Sequence, residues 1–202
     1  MGREAEAERN DRLVLEAARD VFSELGYDAP VSAIAERAGV GMGTLYRRYG
    51  SKDELLQCLC LRSMRQSIAN VEEALAAEGD GWSALAGYVR RGVGLRVGAF
   101  APAAGRIAVT AEMTAASERG RKLLERLVEQ CSSDGSVRPD VTWIDVSYLI
   151  EQFSRGLGVD GQDEIRQRLL ALALDGLRNH GQDPLPGEPP TWESYRARWY
   201  PE

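Results

Sequence analysis

Between Ala38 and Lys52 the chain reads AGVGMGTLYRRYGSK, fifteen residues with three cations (Arg47, Arg48, Lys52) and no carboxylate, although Asp and Glu (31) outnumber Lys and Arg (25) overall. Thr44 and Tyr46 add two hydroxyl donors to the same short segment. Guanidinium groups and hydroxyls at this spacing suit phosphate oxygens and base edges, and arginine can pair bidentately with guanine or phosphate. Gly41 and Gly43 keep the start of the segment slim enough for backbone to approach a groove. Lys52 adds positive charge where a helix N-terminus already favours an anion. Arg47 and Arg48 alone would read as an ordinary solvated surface; with Thr44, Tyr46 and Lys52 after a glycine turn, they read as a face that touches DNA.

No comparable set supports catalysis. Gly156-x-Gly158-x-x-Gly161 matches a dinucleotide fingerprint on paper, but it follows a helical pattern where that motif needs a strand, so it reads as a loop. The single histidine, His180, has no visible partner for a triad or a metal cluster, and there is no Walker loop or HExxH. Cys58, Cys60 and Cys131 lack zinc-ligand spacing and are odd in number, which favours packing in a reducing compartment over a disulfide framework. The expectation is therefore a non-enzyme without cofactor or metal. A net charge of -6 excludes binding to nucleic acid or anionic membrane by bulk charge, so any such contact must be local. The charged N-terminus is unlike a secretory leader and no apolar run has membrane-spanning length, which predicts a cytoplasmic protein without membrane contact.

The elements that must hold this face are helical throughout. After a polar arm (1–11), Leu13, Ala17, Val21, Phe22 and Leu25 form the stripe of an amphipathic helix ended by Gly26. Pro30 suits the first turn of a second helix burying Val31, Ile34, Ala35 and Ala38. Gly39 turns the chain into a third helix, Met42 to Tyr49, making a helix-turn-helix within 12–52. Ser51, with Asp53 and Glu54 behind it, caps a long fourth helix through Leu55, Leu59, Met64, Ile68, Val71 and Leu75. A helix shared by both halves is a stiff rod able to carry a displacement.

Residues 53–182 continue as helices. A fifth is expected from Trp82 to about Val97, then an irregular joint over 98–105, a short helix over 107–116 and a seventh around Leu123 to Cys131. Thr142, Asp145 and the Val141/Val146 pair mark the next start, with Val146, Leu149, Ile150, Phe153 and Leu157 as its core face. The last long helix, about 163–180, has Ile165, Leu169, Leu172, Ala173 and Leu177 facing inward and Leu170 and Leu174 widening the stripe. That is more apolar surface than one intrachain contact hides, which predicts a second subunit. Residues 183–202 are a Pro-rich connector and a tail whose Trp192, Tyr195 and Trp199 dock on the chain's own body.

Residues 12–56, RLVLEAARDVFSELGYDAPVSAIAERAGVGMGTLYRRYGSKDELL, resemble the DNA-binding domain of the TetR family of bacterial transcriptional regulators. A-x-x-x-F-x-x-x-G-Y, IAxxAGV, GTLYRRY and SKxEL carry the match; Gly41 stands where the family commonly has serine, and Pro30 where it has a capping Thr or Ser. The resemblance implies an all-α protein: a three-helix DNA-binding domain followed by a helical domain that binds a small effector and dimerises through its last two long helices. It assigns DNA contacts to Ser32, Met42, Thr44, Arg47 and Arg48, with phosphate contacts from Tyr46 and Lys52. It places an effector pocket among the middle helices, where Met64, Tyr88, Phe100, Met113, Tyr148 and Gln152 are candidates, a set suited to a largely apolar ligand.

Residues 1–56 hold eight Lys and Arg against eleven Asp and Glu, a net charge of -3, so affinity must rest on a few placed contacts. The expected function is a repressor that binds a palindromic operator as a homodimer and is released by an effector. An activator or ligand-independent regulator on the same scaffold stays open, as does a helical enzyme or carrier whose N-terminal unit binds protein.

Overall fold

A computed structural model describes residues 2–157 and 161–198, whose regular structure is helical apart from one isolated bridge between Val137 and Arg178. Helix α1 (Gly2–Leu25) packs on α2 (Val31–Ala38), and α3 (Met42–Tyr49) follows a three-residue turn. The residues read as a polar arm are thus the first turns of α1, because Ala, Glu and Arg are strong helix formers and continue the pattern backwards. Gly26 (φ 78°) and Gly39 (φ 67°) adopt the left-handed conformation that ends α1 and α2. Pro30 is the N-terminal cap of α2 and supplies no side-chain hydrogen bond, while Asp28 is engaged by Arg106.

Helix α4 (Lys52–Ala76) is capped by Ser51, whose Oγ accepts the Glu54 amide at 3.1 Å. It belongs to two cores. Leu55, Leu56, Leu59 and Cys60 pack with α1, α2 and α3, whereas Val71 and Ala74 pack with the C-terminal helices. Helix α5 (Gly81–Gly94) leads into a 3-10 helix, Val97–Ala103, that fills the expected irregular joint. Gly98 is required there: a Cβ would fall 2.6 Å from the Glu151 Cα, so the backbone passes against the next helix but one.

Two expected helices are one. Helix α6 (Ala111–Ser133) runs unbroken through Gly120, a residue costing about 1 kcal/mol in a helix interior. Its packing along α4 offsets that cost, with Ile68 directly over Gly120. Helix α7 (Trp143–Phe153) starts at the predicted capping box, with the Asp145 carboxylate accepting from the Thr142 amide at 2.8 Å.

Helix α8 (Gln162–Leu177) departs from expectation in its facing. Arg166, Leu170, Leu174 and Leu177 point inward, while Ile165, Leu169 and Leu172 are exposed. Both stripes are apolar, so the sequence does not choose between them; packing of Leu170, Leu174 and Leu177 into the C-terminal core does. A short helix α9 (Trp192–Ala197) closes the described chain, and Trp199 lies outside the described residues, as does Gly158 of the glycine triplet.

Candidate DNA-binding face and effector chamber

Leu45 and Tyr49 are one turn apart on α3 and both buried, which fixes the rotation of this helix about its axis. Burying a leucine of this kind is worth about 2 kcal/mol. The opposite face is left outward: Met42, Gly43, Thr44, Tyr46, Arg47 and Arg48 are exposed, and so is Ser32 near the start of α2. Lys52, in the first turn of α4, is half-buried with its Nζ 5.7 Å from the centre of the Tyr27 ring. Arg106 stacks on that ring at 4.4 Å.

The two arginines of α3 differ. Arg47 makes no hydrogen bond or ion pair among the described residues. Arg48 donates to Asp11 of α1 at 2.9 Å, and the same carboxylate accepts from the Tyr49 hydroxyl (2.8 Å) and from Arg62 of α4 (2.5 Å). Burial alone would raise the Asp11 pKa, but hydrogen bonds from Arg48 and Tyr49 and the charges of Arg62 and Arg48 outweigh it and hold the group below its ordinary value. The Tyr49 hydroxyl is driven upward by burial and by its bond to Asp11. Asp11 therefore joins three helices behind the exposed face. Sequence reasoning missed it because its partners lie 37 to 51 positions away.

Behind this head, α4, α5, α7 and the 3-10 helix enclose a cavity of about 160 Å³. Met64, Tyr88 and Phe100 line it. Met113 lines an adjoining space of about 30 Å³ with Met64 and Tyr195. Tyr148 and Gln152 do not line these spaces: Gln152 is exposed and Tyr148 packs edge-on against Tyr195 at 5.4 Å. The phase of α7 explains this, because Ser147 and Glu151 hold the adjacent inward stripe. Ser63, Ser67, Ser147 and the Tyr88 hydroxyl line the chamber together with the apolar Met64, Val97 and Phe100. The Tyr88 and Ser67 hydroxyls are 3.2 Å apart, and burial raises the Tyr88 pKa.

The tail closes this chamber. The Tyr195 hydroxyl donates to Glu151 Oε1 at 2.9 Å, and Arg198 donates to Glu151 Oε2 at 2.8 Å. Trp192 and Tyr195 both pack on Trp143 at 5.7 Å. Met64 and Tyr195 also line a further cavity of about 150 Å³, so one side chain of the tail separates adjoining spaces. The buried thiols are unreactive: burial pushes Cys60 up to about 12 and Cys131 up to about 11. Among the described residues no three His, Cys, Asp or Glu side chains are grouped to hold a metal, and no helix is long and apolar enough to cross a membrane.

An exposed helix after a glycine turn, on a helical body with a pocket behind it, is the arrangement of a helix-turn-helix regulator. Residues 14–59 match the model of "Bacterial regulatory proteins, tetR family", and residues 82–179 match "Transcriptional regulator SbtR-like, C-terminal domain". The transcriptional repressor KstR of Mycolicibacterium smegmatis is 34% identical over 146 residues, covering 69% of this chain and 71% of that protein. The regulator UidR of Escherichia coli is 27% identical over 186 residues, covering 87% of this chain and 92% of that protein. Among solved structures, a TetR transcriptional regulator from Streptomyces coelicolor superposes with a TM-score of 0.59 at 27% identity, covering 84% of this chain and 99% of that one. The chain belongs to the TetR family of bacterial transcriptional regulators, as a ligand-responsive DNA-binding protein.

Proposed function

We propose that this protein is a dimeric repressor that binds a palindromic operator and is released when an effector enters the chamber behind α4. The continuity of α4 carries this reading: one helix runs from Lys52 beside the reading face to Met64 and Ser67 in the chamber wall. Two copies would each lay the exposed face of α3 in a major groove, at half-sites about 34 to 36 Å apart or somewhat more. Ser32, Met42, Thr44 and Arg47 would meet the groove, and Tyr46 and Lys52 the phosphates. Lys52 supports this: a cation in the first turn of a helix opposes the helix dipole, and a phosphate there would relieve that opposition.

The chamber is small beside the roughly 300 Å³ that begins the usual range for ligand sites. An effector of ordinary size therefore displaces Tyr195 and joins the adjoining spaces. It would be largely apolar, with one hydrogen-bonding end set against Ser63, Ser67, Ser147 and Tyr88. Displacing α4 by this route needs only about 1 to 3 kcal/mol of coupling. Selection of genomic fragments by the purified protein tests the reading. Recovery of a palindromic site, released by a small-molecule extract, is expected; recovery of no sequence-selective fragment would overturn it.

A further inference from the structure

A second cleft, of about 850 Å³, lies between α1, the end of α5 and the first half of α8, and it differs in character from the effector chamber. Its walls carry four arginines, Arg19, Arg90, Arg96 and Arg166, against three carboxylates, Glu16, Asp20 and Asp163. Each carboxylate already has a partner. Arg12 approaches Glu16 at 3.9 Å, Arg96 pairs with Asp20, and Arg166 donates to Asp163 at 2.5 Å.

Arg19 and Arg90 are left without a contacting carboxylate among the described residues. Arg90 is exposed. Arg19 is only 4% exposed, its one hydrogen bond is to Ser63 Oγ at 3.2 Å, and its Nε has no partner. The Nε of Arg166, a residue 7% exposed, is likewise unsatisfied. Burying a guanidinium whose Nε is left unsatisfied is costly, and an anion brought into contact recovers part of that cost. Burial lowers the Arg19 pKa to about 10 in spite of the more distant Glu16 and Asp20, so the group is still charged at neutral pH.

Backbone strain sits at the same place. Arg96, at φ 49° and ψ 41°, is the one non-glycine residue with positive φ among the described residues. Held this way, it spans from Asp20 of α1 to Asp163 of α8, the latter at 3.9 Å. Strain of this kind persists at sites that it serves to build.

We propose that this cleft binds an organic anion, a carboxylate or phosphate ester whose acidic group meets Arg19 and Arg90, neither of which contacts a carboxylate among the described residues. Val93, Leu95 and Ala171 offer its apolar body a surface, and the volume lies within the range of small-molecule sites. The cleft also stays open in a dimer built on α8. Asp163, Arg166, Gln167 and Leu170 face it, whereas Ile165, Leu169 and Leu172 lie about 140° around the helix, from the 100° step per residue. Ser63, the partner of Arg19, lines the effector chamber, so the two sites are one hydrogen bond apart.

Calorimetric titration with hexanoate, hexyl phosphate and hexylammonium tests this on the full chain. Either anion should bind while the cation of equal length does not, and the better anion identifies the acidic group. Arg90→Glu, at an exposed position, should keep the melting temperature and weaken anion binding at least tenfold; Arg19→Gln should weaken it as well where it folds. Absence of anion binding up to about 10 mM, or binding undiminished in Arg90→Glu, overturns the proposal. Undiminished binding that is lost instead in Tyr88→Ala would place the anion in the effector chamber and equally overturn it.

Discussion

The Asp11 carboxylate on α1 holds the Arg48 guanidinium on α3 at 2.9 Å, so the two adjacent arginines of the reading helix have different work. Arg48 is tied to the buried Asp11, and Arg47 has no ion pair among the described residues, which would leave it to meet DNA. Arg47→Ala should cost about 1 to 3 kcal/mol on the selected operator and relax sequence preference at one position. Arg48→Ala should weaken all sequences alike. Its ion pair with Asp11 is half-exposed, so the stability lost with it should stay within about 1 kcal/mol. Competition titrations on operator and scrambled DNA separate the two outcomes.

Asp11 itself should matter more than either arginine to the folded state. Its pKa is lowered on folding, so its contribution is fully present above the ordinary carboxylate value, about 3.9, and is lost as pH falls through the lower folded value. Asp11→Asn should cost roughly 2 to 3 kcal/mol at pH 7, less than a fully buried pair because Arg48 and Arg62 are partly in water. The difference from the unsubstituted protein should shrink below about pH 4, where both chains carry a neutral side chain at this position. Urea unfolding across that range measures the difference, and a gap that stays constant with pH would show that Asp11 acts only through packing.

The head was legible because its signals are local. Gly26, Gly39 and Ser51 each end or start a helix through bonds within a few residues, and Leu45 and Tyr49 set the facing of α3 by themselves. The body was less so wherever facing depends on distant packing. On α7 the capping box fixed the start at Trp143, but only contact with the 3-10 helix decides that Ser147 and Glu151 turn inward while Gln152 does not. On α8 two apolar stripes compete, and on α6 the glycine that would weaken an isolated helix is covered by Ile68. Asp11 was read as part of a polar arm because nothing near it in sequence announces Arg62.

Tyr195 and Glu151 should control access to the chamber. Tyr195→Ala removes the wall between adjoining spaces and half of the grip on Glu151. Nile red, an uncharged apolar dye, should bind this variant several-fold more tightly than the unsubstituted chain. Glu151→Gln keeps the shape but gives up the ion pair to Arg198, and an intermediate gain is expected. Equal dye affinity in all three would show that the tail does not gate the chamber.

The exposed stripe on α8 makes the sharpest separation between folding and assembly. Leu172 is 66% exposed and Leu169 42%, while Leu170 between them is buried in the subunit core at 5%. Leu169→Glu with Leu172→Glu should leave the helical content and melting of the isolated chain nearly unchanged, because both side chains are exposed and neither belongs to its buried core. Leu170→Glu should unfold it, since an unpaired carboxylate would enter the C-terminal core. If the stripe pairs two subunits, the double variant sediments as a monomer where the parent is a dimer. Operator affinity should then fall at least a hundredfold, because one head keeps only half of the phosphate contacts and loses the benefit of the linked second site. A double variant that remains dimeric would move the interface away from α8, and with it the geometry by which two reading helices reach successive grooves.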